Sequence, residues 1–349
     1  MTKLPEINTQ FLLDFLTTLL NTPSPTGFTE PAIAFTEQTL KAIPGTKLER
    51  TRKGALLATL EGELDDGALA LTAHVDTLGG MVKEIKSNGR LKLTRIGSYA
   101  WNTIEGEGCT VHTRGGRQVR GAILLTKASS HVFGNETGEM KRDEDSLEVR
   151  LDAHTGSELE TLDLGINVGD FIVFDPRVEV HSGYIRSRHL DDKAGVAALV
   201  TAIKALADGG MQPRKNAYFL ISNYEEVGHG AAAGLPENLE SLLAVDMAAV
   251  GEGQNSDELH ASLCVKDSGG PYHHGFSTRL RELAEKHAIP YKVDIYPYYG
   301  SDGEAWWRAG GGAPVALIGP GVDASHNYER THTDALIATT NWLMAYLLS

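Results

Sequence analysis

The sequence has few cysteines and no long apolar run. These two deficits argue against a disulfide-rich protein and against a membrane-spanning one. Its two cysteines, Cys109 and Cys264, lie far apart and form no CxxC pair, which argues against a disulfide framework and for a reducing compartment. No apolar stretch approaches the roughly 20 residues that a membrane-spanning helix needs, and the N-terminus lacks the apolar segment of a secretory signal. We therefore expect a cytoplasmic protein that has no membrane partner.

Basic residues are also scarce relative to acidic ones. The chain has 32 Lys and Arg against 46 Asp and Glu, which gives a net charge of −14. This excess argues against a nucleic-acid or anionic-membrane partner, and acidic residues gathered in one place would suit divalent cations. A length of 349 residues with 41% hydrophobic and 22% charged residues predicts a globular chain with one large domain, or one domain that carries an insertion.

Helical and strand patterns alternate in the first and last parts of the chain. Apolar residues recur at helical spacing over residues 8–21, 29–42, 192–206, 277–288 and 334–348. Short apolar runs predict buried strands at residues 68–73, 217–222, 242–245 and 314–319. Strands that alternate with helices predict an α/β fold, in which a mostly parallel mixed sheet is flanked by helices.

Residues 79–183 show a different pattern. Helical periodicity gives way to short β-type runs that are separated by glycine turns, which is typical of a small β-barrel or PDZ-like domain. We therefore predict an α/β domain formed by residues 1–78 and 184–349, with an inserted β domain at residues 79–183.

Glu225 and Glu226 form a carboxylate pair just after the predicted strand at residues 217–222. Two carboxylates at a strand end can divide the work of hydrolysis, since one can bind a metal while the other moves a proton. A random Glu–Glu pair is more often a solvated turn. Further candidate ligands, however, occupy similar positions at strand ends or at a helix start: His74, Asp76, Asp191, Asp192, Asp246 and His326.

This set of residue types is typical of a hydrolytic metal centre. Sites in open α/β sheets form outside the carboxyl ends of the strands, so we expect these side chains to lie together. Mixed His and carboxylate ligands suit Zn²⁺ or a related divalent ion, and several carboxylates suit a pair of ions that share one of them. Asp76 follows His74 by two residues and can hold its imidazole N–H.

The order of these motifs resembles that of the M42 family of di-metal aminopeptidases, in the clan shared with the M28, M20 and M18 metallopeptidases. The matching segments are Thr72–Asp76, Leu190–Gly195, Tyr224–Gly228, Val245–Asp246, Gly300–Asp302 and His326–Glu329. The resemblance implies a zinc-exopeptidase fold whose inserted β domain serves oligomerisation and substrate access. It also implies two divalent ions per subunit, with Zn²⁺ expected and Co²⁺ or Mn²⁺ as alternatives, and self-association from dimers up to a dodecamer.

The resemblance also implies a role for each matching residue. The implied metal ligands are His74, Asp191, Glu226, Asp246 and His326, with Asp191 bridging the two ions. Glu225 would be the general base that takes a proton from the metal-bridging water and returns it to the leaving amine, and Asp76 would be the second catalytic residue. Asp302 and His229 are the candidate substrate-binding residues. The peptide bond between Asp191 and Asp192 is expected to be cis.

Departures from the family pattern lie around the site and bear on the choice of substrate. Thr77 follows Asp76 where the family has Glu, Lys193 stands in place of Arg, and Asn327 in place of Ser. The leading hypothesis is an exopeptidase that removes N-terminal residues from short peptides. The alternatives are a deacylase or amide hydrolase for a small blocked or modified peptide, a glycosidase that uses paired carboxylates, and a non-enzymatic scaffold.

Overall fold

The structure, a computed structural model, describes residues 3–349. Its helices are α1 (Thr9–Leu20), α2 (Glu30–Lys41), α3 (Ser130–Phe133), α4 (Glu136–Glu139), α5 (Glu158–Asp163), α6 (Leu190–Asp208), α7 (His274–Lys286), α8 (Asp302–Arg308) and α9 (Thr333–Leu347). Short 3-10 helices lie at Trp101–Thr103 and Glu225–Val227. In this described part of the chain, no helix is both long and apolar enough to cross a membrane.

The strands complete the set of regular elements. They are β1 (Thr46–Arg50), β2 (Leu56–Leu60), β3 (Leu64–His74), β4 (Gly79–Ile85), β5 (Leu91–Ile96), β6 (Gly108–His112), β7 (Gln118–Leu125), β8 (Leu147–Leu151), β9 (Phe171–Phe174), β10 (Glu179–His181), β11 (Tyr184–Ser187), β12 (Lys215–Ser222), β13 (Ser241–Val245), β14 (Ala248–Val250), β15 (Ala261–Lys266), β16 (Tyr291–Ile295), β17 (Val315–Asp323) and β18 (Glu329–His332).

The chain folds into two compact units. The first runs up to Asp76 and resumes from Val178 to Ser349, and the second is Thr77–Arg177. The sequence predicts an inserted domain at residues 79–183, but the second unit ends before β10. The reason is that β10 pairs with β11, and β11 pairs with β18 in the sheet of the first unit. Residues 1 and 2, which the prediction includes in the α/β domain, lie outside the described range.

The first unit is built on a mixed sheet with the strand order β1-β2-β12-β3-β13-β17-β18-β11-β10. At its centre, β12, β3, β13 and β17 are parallel neighbours. Antiparallel pairs lie toward both edges, while β14 pairs with β17, and β15 pairs with both β16 and β17. The predicted α/β fold with a mixed sheet is confirmed, with the parallel strands concentrated at the centre.

Helices cover both faces of the central strands. In β3, Leu69 and Leu71 belong to the apolar core that includes α1, α6 and α9, whereas Ala70 belongs to a second core with Trp306 of α8. Neighbouring side chains of a strand point to opposite faces, so a strand that is covered on both faces must be apolar at consecutive positions. This explains why the central strands read as uninterrupted apolar runs in the sequence.

The second unit is a closed barrel with the strand order β4-β5-β8-β7-β6-β9. Alternate residues of β7 are buried, and Val119, Ile123 and Leu125 belong to the barrel core. Period-two burial is what a small barrel with a filled interior requires. The predicted small β-barrel is therefore confirmed.

Candidate metal centre

The candidate ligands lie at the carboxyl ends of the parallel strands. His74 is the last residue of β3, and Asp246 directly follows β13. Glu225 and Glu226 lie in the 3-10 turn after β12, and Asp191 lies at the start of α6. Parallel neighbours end at the same edge of the sheet, which is where α/β folds form their sites.

Two groups of three side chains in the described part of the chain could each hold a metal ion. The first group consists of His74, Glu225 and Asp246. The second group consists of Asp191, Glu226 and His326. Within each group the ligand atoms lie within 4.8 Å of one another. One imidazole with two carboxylates is a donor set that suits Zn²⁺ and other first-row divalent ions.

Asp191 faces both histidines, with a different oxygen toward each. Its Oδ1 is 3.2 Å from Nε2 of His74, and its Oδ2 is 3.3 Å from Nε2 of His326. A carboxylate in this position can offer one oxygen to each of two ions. The peptide bond between Asp191 and Asp192 is cis, as the family resemblance implies.

Two buried atoms of these groups have no hydrogen-bond partner among the described residues: Nε2 of His74 and Oε1 of Glu226. On the other side of the His74 ring, Nδ1 lies 2.9 Å from the carbonyl oxygen of Asp76, an arrangement that leaves Nε2 free to donate its electron pair to an ion. Buried polar atoms are nearly always paired, and an exception is often explained by an ion. The residues present therefore fit divalent metal ions.

Burial and the neighbouring carboxylates shift the pKa values of the site residues. Burial first, and the Asp191 carboxylate second, raise the pKa of Glu226 to about 8 and that of Asp246 well above its ordinary value. Burial alone would lower the pKa of His326, but the carboxylates of Asp191 and Glu226 outweigh it and raise the pKa to about 10. Buried carboxylates need compensating positive charge, which protons or bound cations can supply.

Asp76 fixes the backbone around the two glutamates. Its fully buried carboxylate accepts hydrogen bonds from Oγ1 of Thr26 at 2.6 Å and from the backbone N–H groups of Glu225 and Glu226 at 3.2 and 3.3 Å. The sequence predicts that this carboxylate also holds the His74 ring. The carbonyl oxygen of Asp76 is closer to Nδ1 of His74, however, at 2.9 Å against 3.6 Å for Oδ1. Asp76 thus orients His74 mainly through its backbone.

Glu329 connects two candidate ligands through their backbones. It is fully buried, its Oε2 accepts a hydrogen bond from the N–H of Asp191 at 3.1 Å, and its Oε1 accepts one from the N–H of His326 at 3.0 Å. His326 has a φ of 62°, which is uncommon for a residue with a side chain, and the bond from Glu329 helps to hold it there. In the sequence, the spacing of Glu329 from His326 was the only sign of this link.

His332 is the other histidine that follows β17 in the chain. It lies at the N-terminus of α9, where its Nδ1 accepts a hydrogen bond from the N–H of Asp334 at 3.1 Å. It belongs to neither of the two ligand groups. His332 therefore caps a helix, and His326 is the histidine that lies beside Asp191.

Asp302 has a different environment from the one predicted for a substrate-binding residue. Its buried carboxylate accepts hydrogen bonds from Oγ1 of Thr72 at 3.1 Å, from the N–H of Ala231 at 2.7 Å, and from the hydroxyl of Ser222. These bonds tie together β3, β12 and the loop after Glu226. The carboxylate accepts these three hydrogen bonds and does not line the cavity described below, which favours a structural role for Asp302, and a contact between Asp302 and substrate stays a prediction.

His229, the other candidate substrate residue, lies on the surface. Its ring stacks on that of Tyr224 with a centroid distance of 5.4 Å. Lys53 donates hydrogen bonds to the carbonyl oxygens of His229 and Gly230, which anchors the loop that follows the glutamate pair. A contact between His229 and substrate stays a prediction.

Replacement of Asp302 by Ala should lower the free energy of unfolding by about 2–3 kcal/mol, because three buried donors lose their common acceptor. Urea denaturation followed by circular dichroism would measure this loss. Glu252→Ala, at an exposed position, is the matched control and should change stability by less than about 0.5 kcal/mol. An Asp302→Ala protein with wild-type stability and a raised KM would instead support the substrate-binding prediction.

A cavity of about 350 Å³ opens beside both ligand groups. Its acidic lining residues are Asp191, Glu225, Glu226, Asp246 and Glu304. Tyr298, Tyr299, Arg308 and His326 also line it. Its volume is at the lower end of the range for small-molecule sites, so a short ligand could reach both groups.

The sequence of the chain is similar to sequences of aminopeptidases over most of its length. Residues 54–342 match the model of the family described as M42 glutamyl aminopeptidase. The YhfE protein of Bacillus subtilis (strain 168), which is provisionally named an aminopeptidase, is 47% identical over 338 residues that cover 97% of each chain. The glutamyl aminopeptidase of Lactococcus lactis is 22% identical over 350 residues, which cover 97% of this chain and 96% of that relative.

Solved structures share the fold over nearly the whole chain. The TET aminopeptidase of the marine sediment archaeon Thaumarchaeota archaeon SCGC AB-539-E09 has a TM-score of 0.87 at 18% identity, with 98% of this chain and 97% of that chain covered. The TET1 peptidase of Pyrococcus horikoshii, described as assembling into a tetrahedron or a large octahedral shell, has a TM-score of 0.85 at 22% identity, with 97% and 99% covered. At these identities the likeness concerns the fold.

Proposed function

The chain belongs to the M42 peptidase family, and from this premise we propose that it is a metal-dependent aminopeptidase that removes N-terminal residues from short peptides. The observation that carries the proposal is the pair of His–carboxylate groups beside a small cavity, with Asp191 within 3.3 Å of a histidine of each group. The names of the relatives support the type of reaction.

The proposed metal ligands divide into two sets around one shared residue. His74 and Asp246 would hold one ion, Glu226 and His326 would hold the other, and Asp191 would contact both. When bound, such ions polarise a scissile carbonyl and lower the pKa of water. We propose Zn²⁺, with Co²⁺ or Mn²⁺ as alternatives, because imidazole and carboxylate ligands accommodate each of them.

Glu225 is the residue that we propose as general base. It lines the cavity, and its Oε2 is 3.5 Å from Nε2 of His74. Burial raises the pKa of Glu225 well above its ordinary value, so this carboxylate accepts a proton more readily than an ordinary glutamate does. Its carboxylate would accept a proton from the attacking water and donate it to the leaving amine. Asp76 would support this step by holding the N–H of Glu225.

The barrel unit is the part of the chain that we propose for self-association and substrate access. The TET1 peptidase of Pyrococcus horikoshii, described as assembling into a tetrahedron or a large octahedral shell, supports self-association of this chain, and we propose dimers that build a dodecamer. Light scattering should then give a mass of about twelve chains. A monomeric mass across a wide concentration range would contradict this proposal.

Removal of metal is the direct test of the reaction class. Dialysis against EDTA should lower the cleavage of dipeptides with a free amino terminus to below about 1% of the starting rate, because the ions supply the main polarising charge. Addition of Zn²⁺, Co²⁺ or Mn²⁺ should restore it. Full dipeptide cleavage in EDTA would contradict metal dependence, whereas hydrolysis of a glycoside by the EDTA-treated protein would favour a carboxylate-only glycosidase.

A substrate panel separates the aminopeptidase from the deacylase alternative. Each dipeptide is offered with a free amino terminus and in the N-acetylated form, and product is quantified by chromatography. We expect cleavage of the free forms only. Cleavage confined to the acetylated forms would favour a deacylase that uses the same metal centre.

A further inference from the structure

Arg308 is the one Lys or Arg side chain among the residues that line the cavity. It is the last residue of α8, and its side chain is 69% exposed. We propose that Arg308 binds the free C-terminal carboxylate of a dipeptide substrate, and so makes dipeptides the preferred class. The inference rests on the proposed aminopeptidase function and adds to it the group at the C-terminal end of the substrate, a free carboxylate.

Glu304 holds the guanidinium of Arg308 in place. Nη2 of Arg308 donates a hydrogen bond to Oε2 of Glu304, one helical turn earlier, at 3.0 Å. The Glu304 side chain is only 10% exposed, and it packs so closely on Gly269 that a Cβ added there would lie 1.5 Å from its Oε1. A well-anchored carboxylate thus restricts the orientation of the arginine before a ligand binds, which lowers the entropy lost on binding.

The remaining donors of Arg308 are available for a ligand. Among the described residues, Glu304 accepts the only hydrogen bond that the Arg308 side chain donates. The Nε and Nη1 donors of Arg308 are therefore left without a protein acceptor. A guanidinium can present two parallel N–H groups to one carboxylate, and this charge-assisted pairing is stronger than a neutral hydrogen bond. Without such a partner, the carboxylates that line the rest of the cavity would repel the C-terminal carboxylate of a substrate.

The exposed fractions of the lining residues indicate which end of the substrate Arg308 contacts. Asp191 and Asp246 are 8% and 6% exposed, whereas Tyr298 is 97% exposed and the Arg308 side chain 69% exposed, so we assign Tyr298 and Arg308 to the rim. An enzyme that removes the first residue must bring the first peptide bond to the buried ligand groups. The residue after that bond then extends toward the rim. In a dipeptide, this second residue ends in the carboxylate that Arg308 can bind.

The test compares dipeptides whose C-terminus is either free or amidated, with Leu or Glu as the first residue. For the wild-type protein, kcat/KM should be about tenfold higher for Leu-Gly than for Leu-Gly-amide, which is the scale of one charge-assisted pairing. In Arg308→Gln this ratio should fall close to one, through a raised KM for the free acid. Arg281→Gln, an exposed change on α7, is the matched control and should keep the tenfold ratio.

Two other outcomes would overturn the inference in distinguishable ways. If Arg308→Gln lowers cleavage of Glu-Gly-amide relative to Leu-Gly-amide and leaves the acid-to-amide ratio unchanged, Arg308 contacts the first side chain and the assignment is wrong. If the wild-type protein, loaded with Zn²⁺, cleaves none of the four substrates, the proposed function itself fails.

Discussion

Glu225→Gln should lower kcat for dipeptide cleavage by about 10²–10⁴-fold, which is the usual contribution of a general base, while the protein keeps two metal ions per chain. Gln has the same shape as Glu but cannot accept the proton of the attacking water. The backbone N–H of residue 225, which donates to Oδ1 of Asp76 at 3.2 Å, is unchanged by the substitution. Steady-state kinetics and metal analysis by mass spectrometry on the same preparation would measure both effects.

Glu226→Gln is the matched control, because it changes the next carboxylate in the same 3-10 turn. Oε2 of Glu226 lies 3.6 Å from Nε2 of His326, so this variant should lose affinity for one ion. The distances also allow Glu225 to be a ligand, since it groups with His74 and Asp246. If Glu225→Gln loses an ion while Glu226→Gln keeps both, the two roles are reversed from those proposed.

Asp191→Asn should weaken metal binding at both groups, by more than the 10–100-fold that is typical of residues that only orient ligands. The reason is that its two oxygens face the two histidines at 3.2 and 3.3 Å, so one substitution affects both ions. Isothermal titration of the metal-free protein with Zn²⁺ would give the affinity and the number of ions bound. The same protein should also lose most of the thermal stabilisation that added Zn²⁺ gives the wild type.

His326→Ala provides the comparison for this experiment, because it removes a ligand from the second group alone. It should bind one ion with nearly unchanged affinity and the other weakly. If the Asp191→Asn protein also binds one ion with nearly unchanged affinity and the other weakly, Asp191 contacts a single ion and does not bridge two.

The departures from the family pattern at Lys193 and Asn327 lie outside the lining of the cavity. Lys193 is fully buried, and its Nζ donates hydrogen bonds to the carbonyl oxygens of Leu19 and Thr22 at 2.9 and 2.7 Å. Neither Lys193 nor Asn327 lines the cavity. The residues that do line it, Arg308 among them, are therefore better candidates for the control of substrate choice.

The sequence by itself determined the fold class, the inserted barrel and the positions of the candidate ligands. Each of these depends on a local signal: strands buried on both faces are apolar at consecutive positions, buried and exposed residues alternate in barrel strands, and candidate ligands such as His74 and Asp246 stand directly at strand ends. Periodicity over a few residues encodes such features. The family resemblance then placed Asp191 and His326 with them.

Only the tertiary structure decided how the site is held. Glu329 bonds the backbone of Asp191, which is 138 positions away in the sequence, and Asp302 joins Thr72 over 230 positions. It also showed that the Asp302 carboxylate accepts three hydrogen bonds from buried donors and that Arg308 lines the cavity. Such pairings depend on which strands are neighbours in the sheet and in which register they align, and no pattern within one segment contains that information.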